Sequence, residues 1–120
     1  MTTQRSQIRP EEAFFLALLE LGYEPNKDFT YQPSERINDQ GSVIHFMFTN
    51  PPNLAINIQG VYYQHDFGGD IKARDLITRE TLVGQGITLI FVDEDDVHQD
   101  AVGIAEDALQ FIDKSRLGGR

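Results

Sequence analysis

Val43-Ile44-His45-Phe46-Met47-Phe48 and Leu54-Ala55-Ile56-Asn57-Ile58-Gln59 are neighbouring apolar segments joined by Thr49-Asn50-Pro51-Pro52-Asn53. Each alternates with period two, the pattern of a β-strand. The two prolines end the first strand and set up a turn into the second, so the pair is expected to be antiparallel. On such strands His45 lies with Val43 and Met47, while Asn57 and Gln59 share a face with Ala55 and leave Leu54, Ile56 and Ile58 opposite. Three neutral polar side chains thus interrupt two otherwise apolar strands, and they can converge on one site.

Upstream, Pro10-Glu11-Glu12 opens a helical stretch from Ala13 to Leu21, with proline in the first turn, acids that complement the helix dipole, and Gly22 as the stop. Its apolar residues Phe14, Phe15, Leu18, Leu19 and Leu21 form a broad stripe, which predicts packing against a sheet. Asp28-Phe29-Thr30-Tyr31-Gln32 reads as an edge strand ahead of Pro33, followed by a loop centred on Asn38-Asp39-Gln40-Gly41. Downstream come Val61-Tyr62-Tyr63-Gln64-His65-Asp66, a Gly68-Gly69 hinge, and a second helix from Lys72 to about Gln85 that Gly86 closes. Ile87-Thr88-Leu89-Ile90-Phe91-Val92 is almost wholly apolar, as a strand covered on both faces must be. A last helix is expected from roughly Asp100 to Lys114, burying Val102, Ile104, Ala105, Ala108, Leu109 and Ile112. The fold class is therefore α/β (α+β): a central mixed sheet of about four strands flanked by three helices. Residues 1–9 read as an N-terminal arm, 10–114 as a single domain and 115–120 as a fraying C-terminal tail.

At 120 residues, 40% of them hydrophobic, the chain suffices for one core and not two. No apolar run approaches the ~20 residues of a membrane span, and Met1-Thr2-Thr3-Gln4-Arg5-Ser6 lacks the apolar centre of a secretion signal, so a cytoplasmic location is expected. With no cysteine and only His45, His65 and His98, neither disulfides nor a zinc cluster of familiar spacing is expected, and no cofactor or metal is implied. The net charge of −9 works against loose binding to nucleic acid, whose phosphates are held mainly by Lys and Arg.

The order helix, three strands, helix, strand, helix resembles the restriction-endonuclease-like core of the PD-(D/E)xK nucleases, specifically the group related to very-short-patch-repair endonucleases. The likeness rests on several short motifs spread over residues 10 to about 113. Pro10-Glu11-Glu12-Ala13-Phe14-Phe15 is similar to that group's Pro-x-Glu before an aromatic helix, and Phe29-Thr30-Tyr31-Gln32 to its Phe-x-x-Gln strand. Val43-Ile44-His45-Phe46 resembles a Val-x-Asp-Phe strand, and Ala55-Ile56-Asn57-Ile58-Gln59-Gly60 an Ala-x-Glu-x-Asp-Gly strand. Asp75 matches a helix aspartate, and Leu82 to Gly86, Ile87 to Val92 and Asp95-Asp96-Val97 match the closing pattern. The departures fall at the catalytic positions. His45, Asn57 and Gln59 stand where the resemblance implies charged residues, and Glu12 alone is expected to keep its acid. An imidazole and two amides supply no negative charge to hold a hard cation or activate a water.

His45, Asn57, Gln59 and Glu12 are therefore expected to be a vestigial site, with His45, Asn57 and Gln59 read as a hydrogen-bonded polar cluster in a half-buried pocket. The run Asp93-Glu94-Asp95-Asp96 lacks the spacing of a calcium loop and is expected to be a solvated strand exit. His65 and His98 are expected in solvated loops. Tyr62, Tyr63 and Phe67, among glycines, are candidate partner-binding residues, with packing over the sheet edge as the other reading. Together these features predict a non-enzymatic structural or interaction protein with protein partners in a larger assembly. The resemblance implies that the scaffold is a degenerate nuclease and the assembly a bacteriophage particle, and, for location, that the protein is cytoplasmic or within such a particle. The alternative is a metal-dependent endonuclease with a displaced site built from Glu12, His45 and Asp75 or Asp66.

Overall fold

A computed structural model of the protein describes residues 9–32, 44–59, 77 and 79–115. The 38–41 loop, Val61 to Asp66 with Tyr62 and Tyr63, Phe67, the Gly68-Gly69 hinge, Lys72, Asp75 and residues 116–120 lie outside them.

The first helix, α1 (Pro10–Glu20), has proline at its start and Glu11 and Glu12 in its first turn. The described strands are β1 (Phe29–Tyr31), β2 (Phe46–Thr49), β3 (Pro52–Gln59) and β4 (Thr88–Asp93), in a mixed sheet of spatial order β1-β2-β3-β4. β1 with β2 and β2 with β3 are antiparallel, whereas β3 and β4 are parallel. A helix that includes residues 79–84 (α2) precedes β4, and α3 (Glu94–Leu109) follows it.

Strand alternation sorts the core into two faces. On one, Leu54, Ile56 and Ile58 of β3 and Ile90 and Val92 of β4 meet Phe14, Ala17 and Leu18 of α1 and Val97, Ala105 and Ala108 of α3. On the other, Ala55, Leu89 and Phe91 meet Leu82 of α2. β4 is thus covered on both sides, as its uninterrupted apolar run requires. Aromatic rings fill the space between α1 and the antiparallel strands. Tyr31 stacks on Phe46 with centroids 4.8 Å apart, and Phe14 and Phe46 meet at 5.1 Å. The expected apolar stripe of α1 is narrower than its composition suggests, because Leu16 and Leu19 face outward with relative exposures of 52% and 40%.

Three helix ends share one geometry. After α1, the amide of Tyr23 donates to the carbonyl of Leu18 and that of Gly22 to Leu19, with Gly22 at φ 98°. After α2, Ile87 and Gly86 repeat the pattern on Leu82 and Val83, with Gly86 at φ 84°. After α3 it recurs with Ile112 on Asp107 and Phe111 on Ala108, but Phe111 occupies the left-handed position at φ 66°. These are Schellman closures, in which the residue with positive φ is usually glycine.

α3 departs from expectation at both ends. It starts at Glu94 rather than near Asp100, and Asp100 marks a kink where the backbone leaves helical geometry. There Asp100 caps the second half, its Oδ1 accepting the Gly103 amide at 3.0 Å. A side chain at Gly103 would collide with the Asp100 carboxylate. At the far end Ile112 lies beyond the helix and is exposed, whereas Ser115, expected to fray, is buried.

Candidate functional site

Backbone pairing of β2 with β3 begins at Phe46 opposite Ile56, so the next residues in register are His45 and Asn57. At this point side chains take over the ladder. The His45 amide donates to Asn57 Oδ1 at 2.7 Å, and the Ile58 amide donates to His45 Nδ1 at 3.0 Å. On the other flank the Gln32 amide donates to the His45 carbonyl at 2.8 Å. This explains why β2 opens at Phe46 and leaves out Ile44 and His45 of the expected strand.

Because Nδ1 accepts, the neutral His45 ring carries its proton on Nε2. That nitrogen faces Glu11 Oε2 at 3.8 Å. The Tyr31 hydroxyl donates to Glu11 Oε1 at 3.3 Å, and the Arg9 guanidinium lies at the same distance from that oxygen. Burial pushes the His45 imidazole below its ordinary value, Glu11 opposes this and Arg9 adds to it. The Tyr31 phenol is pushed up to about 12, first by burial and then by the negative charge of Glu11.

The acid beside His45 is therefore Glu11, and the expectation for Glu12 is corrected: Glu12 is exposed, while Glu11 is buried. Helical periodicity is the physical reason. Glu11 lies three and seven residues before Phe14 and Leu18, on the buried face of α1, whereas Glu12 lies four before the outward-facing Leu16. His45 and Asn57 are brought together. Gln59 is also buried, at the carboxyl end of β3 opposite Asp93, but among the described residues no hydrogen bond joins it to His45 or Asn57. His98 is exposed on α3.

The acidic run also differs from a solvated exit. Asp93 is fully buried at the end of β4, while Glu94, Asp95 and Asp96 form the first turn of α3, where negative charge complements the helix dipole. Among the described residues, Asp93, Asp95 and Asp96 each place an oxygen within 4.8 Å of the others. Such oxygens are the donors that hard divalent cations take, and acids at a helix start are common without one.

Chemically, neutral His45 has one acceptor lone pair, and the Ile58 amide takes it, while its one N–H faces Glu11 at 3.8 Å. While the Ile58 bond holds, the ring has no lone pair with which to abstract a proton or ligate a metal. Among the described residues no helix is long and apolar enough to cross a membrane. No family model, curated protein or solved structure matches this chain.

Proposed function

We propose that the protein is a non-catalytic structural or interaction protein on a degenerate endonuclease-like scaffold, one component of a larger assembly such as a bacteriophage particle. The observation that carries this reading is the use of His45 and Asn57. At positions where the resemblance implies metal-binding carboxylates, both side chains instead hydrogen-bond the backbone and extend the sheet. The net charge of −9 favours basic protein surfaces over phosphate backbones as partners. Tyr62, Tyr63 and Phe67 are the proposed contact residues, since aromatic rings bury much area for little lost rotamer freedom.

The test is a divalent-ion titration and a DNA-cleavage assay on the purified chain with Mg²⁺ and Mn²⁺. Neither binding at the His45 site nor nicking is expected. Metal-dependent nicking that disappears in Glu11→Ala would overturn the reading in favour of a displaced catalytic site. Conversely, His45→Asp with Asn57→Glu and Gln59→Lys is expected to create a divalent-ion site detectable by calorimetry. A folded triple variant that binds no ion would refute the endonuclease-like assignment of these positions.

A further inference from the structure

Where β2 parts from β3, the two strands are held by a hydrogen bond that exists in only one protonation state of a side chain. The Ile58 amide is a donor and cannot change; it needs an acceptor, and His45 Nδ1 is that acceptor at 3.0 Å. A protonated imidazole has no acceptor, because both nitrogens carry hydrogen. Protonation therefore sets two N–H groups against each other at the buried ladder, and the bond must break. The same event strengthens the opposite contact, since Nε2 already faces the Glu11 carboxylate at 3.8 Å. The ring thus faces Glu11 through Nε2–H in both states, more strongly when charged, but holds the Ile58 amide through Nδ1 only when neutral.

We propose that His45 is a pH-operated latch, whose ring holds the Ile58 amide of β3 while it is neutral and releases that amide when it takes a proton. The proposal is independent of the non-catalytic reading, since it concerns what the ring holds and not what the scaffold once did. The surrounding groups define its electrostatics. From α1 come Glu11, which favours the charged ring, and Arg9 just before the helix, which disfavours it. From β1 comes the Tyr31 hydroxyl, which donates to Glu11 and draws on the charge available to His45. From β3, among the described residues, comes the neutral amide of Asn57, whose Oδ1 accepts the His45 amide. Burial places the neutral form in possession at neutral pH, so the latch is closed there and opens on acidification.

What opens is local. The backbone pairs from Phe46–Ile56 to Phe48–Leu54 do not involve the ring and keep their bonds. The parallel pairing of Ile58 with Val92 and Gln59 with Asp93 lies on the far side of β3. Acidification is expected to free the Ile58 amide without unfolding the sheet, since the bonds of the His45 amide to Asn57 and of the Gln32 amide to the His45 carbonyl do not involve the ring.

The test is amide hydrogen exchange on the intact chain from roughly pH 4 to 8, a range carried below that of an ordinary imidazole because burial lowers the His45 ring, with His45 protonation followed in parallel by NMR; a ring that stays neutral throughout overturns the proposal. Above the transition His45 is expected as the Nε2–H tautomer. On protonation the Ile58 protection factor is expected to fall by about tenfold, as loss of one hydrogen bond implies, while those within Leu54–Ile56 hold. His45→Asn places a carbonyl oxygen near the Nδ1 position without a titrating proton, so Ile58 protection is expected to become independent of pH in that variant. An unchanged Ile58 protection factor after His45 has titrated, or a neutral Nδ1–H tautomer, overturns the proposal in the wild-type chain alone.

Discussion

Asp113, four residues beyond the end of α3, accepts the backbone amide of Phe91 at 2.9 Å and so closes a position on the outer edge of β4. β4 is the last strand of the described sheet, and an uncovered edge amide is both an unsatisfied donor and a template for unwanted pairing. The other oxygen of Asp113 accepts the amide of the buried Ser115 at 2.9 Å and its hydroxyl at 2.6 Å. Asp113→Ala is expected to cost about 1–3 kcal/mol by orphaning these donors, and Ser115→Ala about 1 kcal/mol for the lost hydroxyl bond. Urea denaturation of both variants checks the ranking; equal losses would show that the edge amide contributes nothing.

The Schellman closure of α3 carries Phe111 where α1 and α2 carry Gly22 and Gly86. A non-glycine residue in the left-handed region costs about 1–2 kcal/mol, and the Phe111 ring is 42% exposed, so it recovers only part of its burial energy. Phe111→Gly is expected to raise stability by about 0.5 kcal/mol after the extra chain entropy of glycine is subtracted. Gly22→Ala is expected to lower it by about 1 kcal/mol through the converse strain. Thermal unfolding of the two variants, moving in opposite directions, is the measurement.

Two adjacent glutamates should respond very differently to the same substitution. Glu11→Ala removes a buried carboxylate that serves the Tyr31 hydroxyl and Arg9 and faces His45, and it is expected to cost about 2–3 kcal/mol. Glu12→Ala changes an exposed side chain and is expected to stay within about 0.5 kcal/mol. Chemical denaturation that ranks them the other way would contradict the assignment of Glu11 to the polar cluster.

The Tyr31 phenol, with its pKa raised from 10.0 to about 12, gives stability a dependence on alkaline pH. Between those values the folded chain keeps a proton that the unfolded chain has lost. Stability is therefore complete below about pH 10 and falls as pH rises toward 12. An ultraviolet difference titration is expected to show the Tyr31 phenol ionising late. In Glu11→Gln that ionisation is expected to move only part of the way back, because burial outweighs the Glu11 charge as the cause.

The features legible in the sequence were those that one residue type or one period enforces. Gly22 and Gly86 marked two helix ends, because a left-handed residue at a Schellman closure favours glycine. The uninterrupted run from Leu89 to Val92 marked a strand buried on both faces. Phe111 hid the third helix end, since its conformation runs against its type and only tertiary context fixes it. The start of α3 was hidden for a different reason: Asp93 to Asp96 read as solvated charge, although acids are favoured in a first helical turn. At the site, His45 and Asn57 were legible as polar residues in apolar strands. Their roles were not, because a side chain that replaces a ladder bond is defined by where two backbones diverge. Glu11 was within reach of the sequence, since the spacing to Phe14 and Leu18 separates it from Glu12.

The capped kink within α3 ties the histories of two positions together. Gly103 is not forced by its own backbone angles, and alanine would ordinarily improve a helix there by about 1 kcal/mol. What opposes alanine is the carboxylate of Asp100, which fills the space a Cβ at 103 would take and would have to swing away, giving up the 103 amide that it accepts. A lineage that alters 103 first meets a collision, and one that alters 100 first loses a cap, yet either change removes the objection to the other. Positions 100 and 103 should therefore drift as a correlated pair, Asp with Gly or neither, and the double variant Asp100→Ala with Gly103→Ala should be more stable than the sum of its single changes allows.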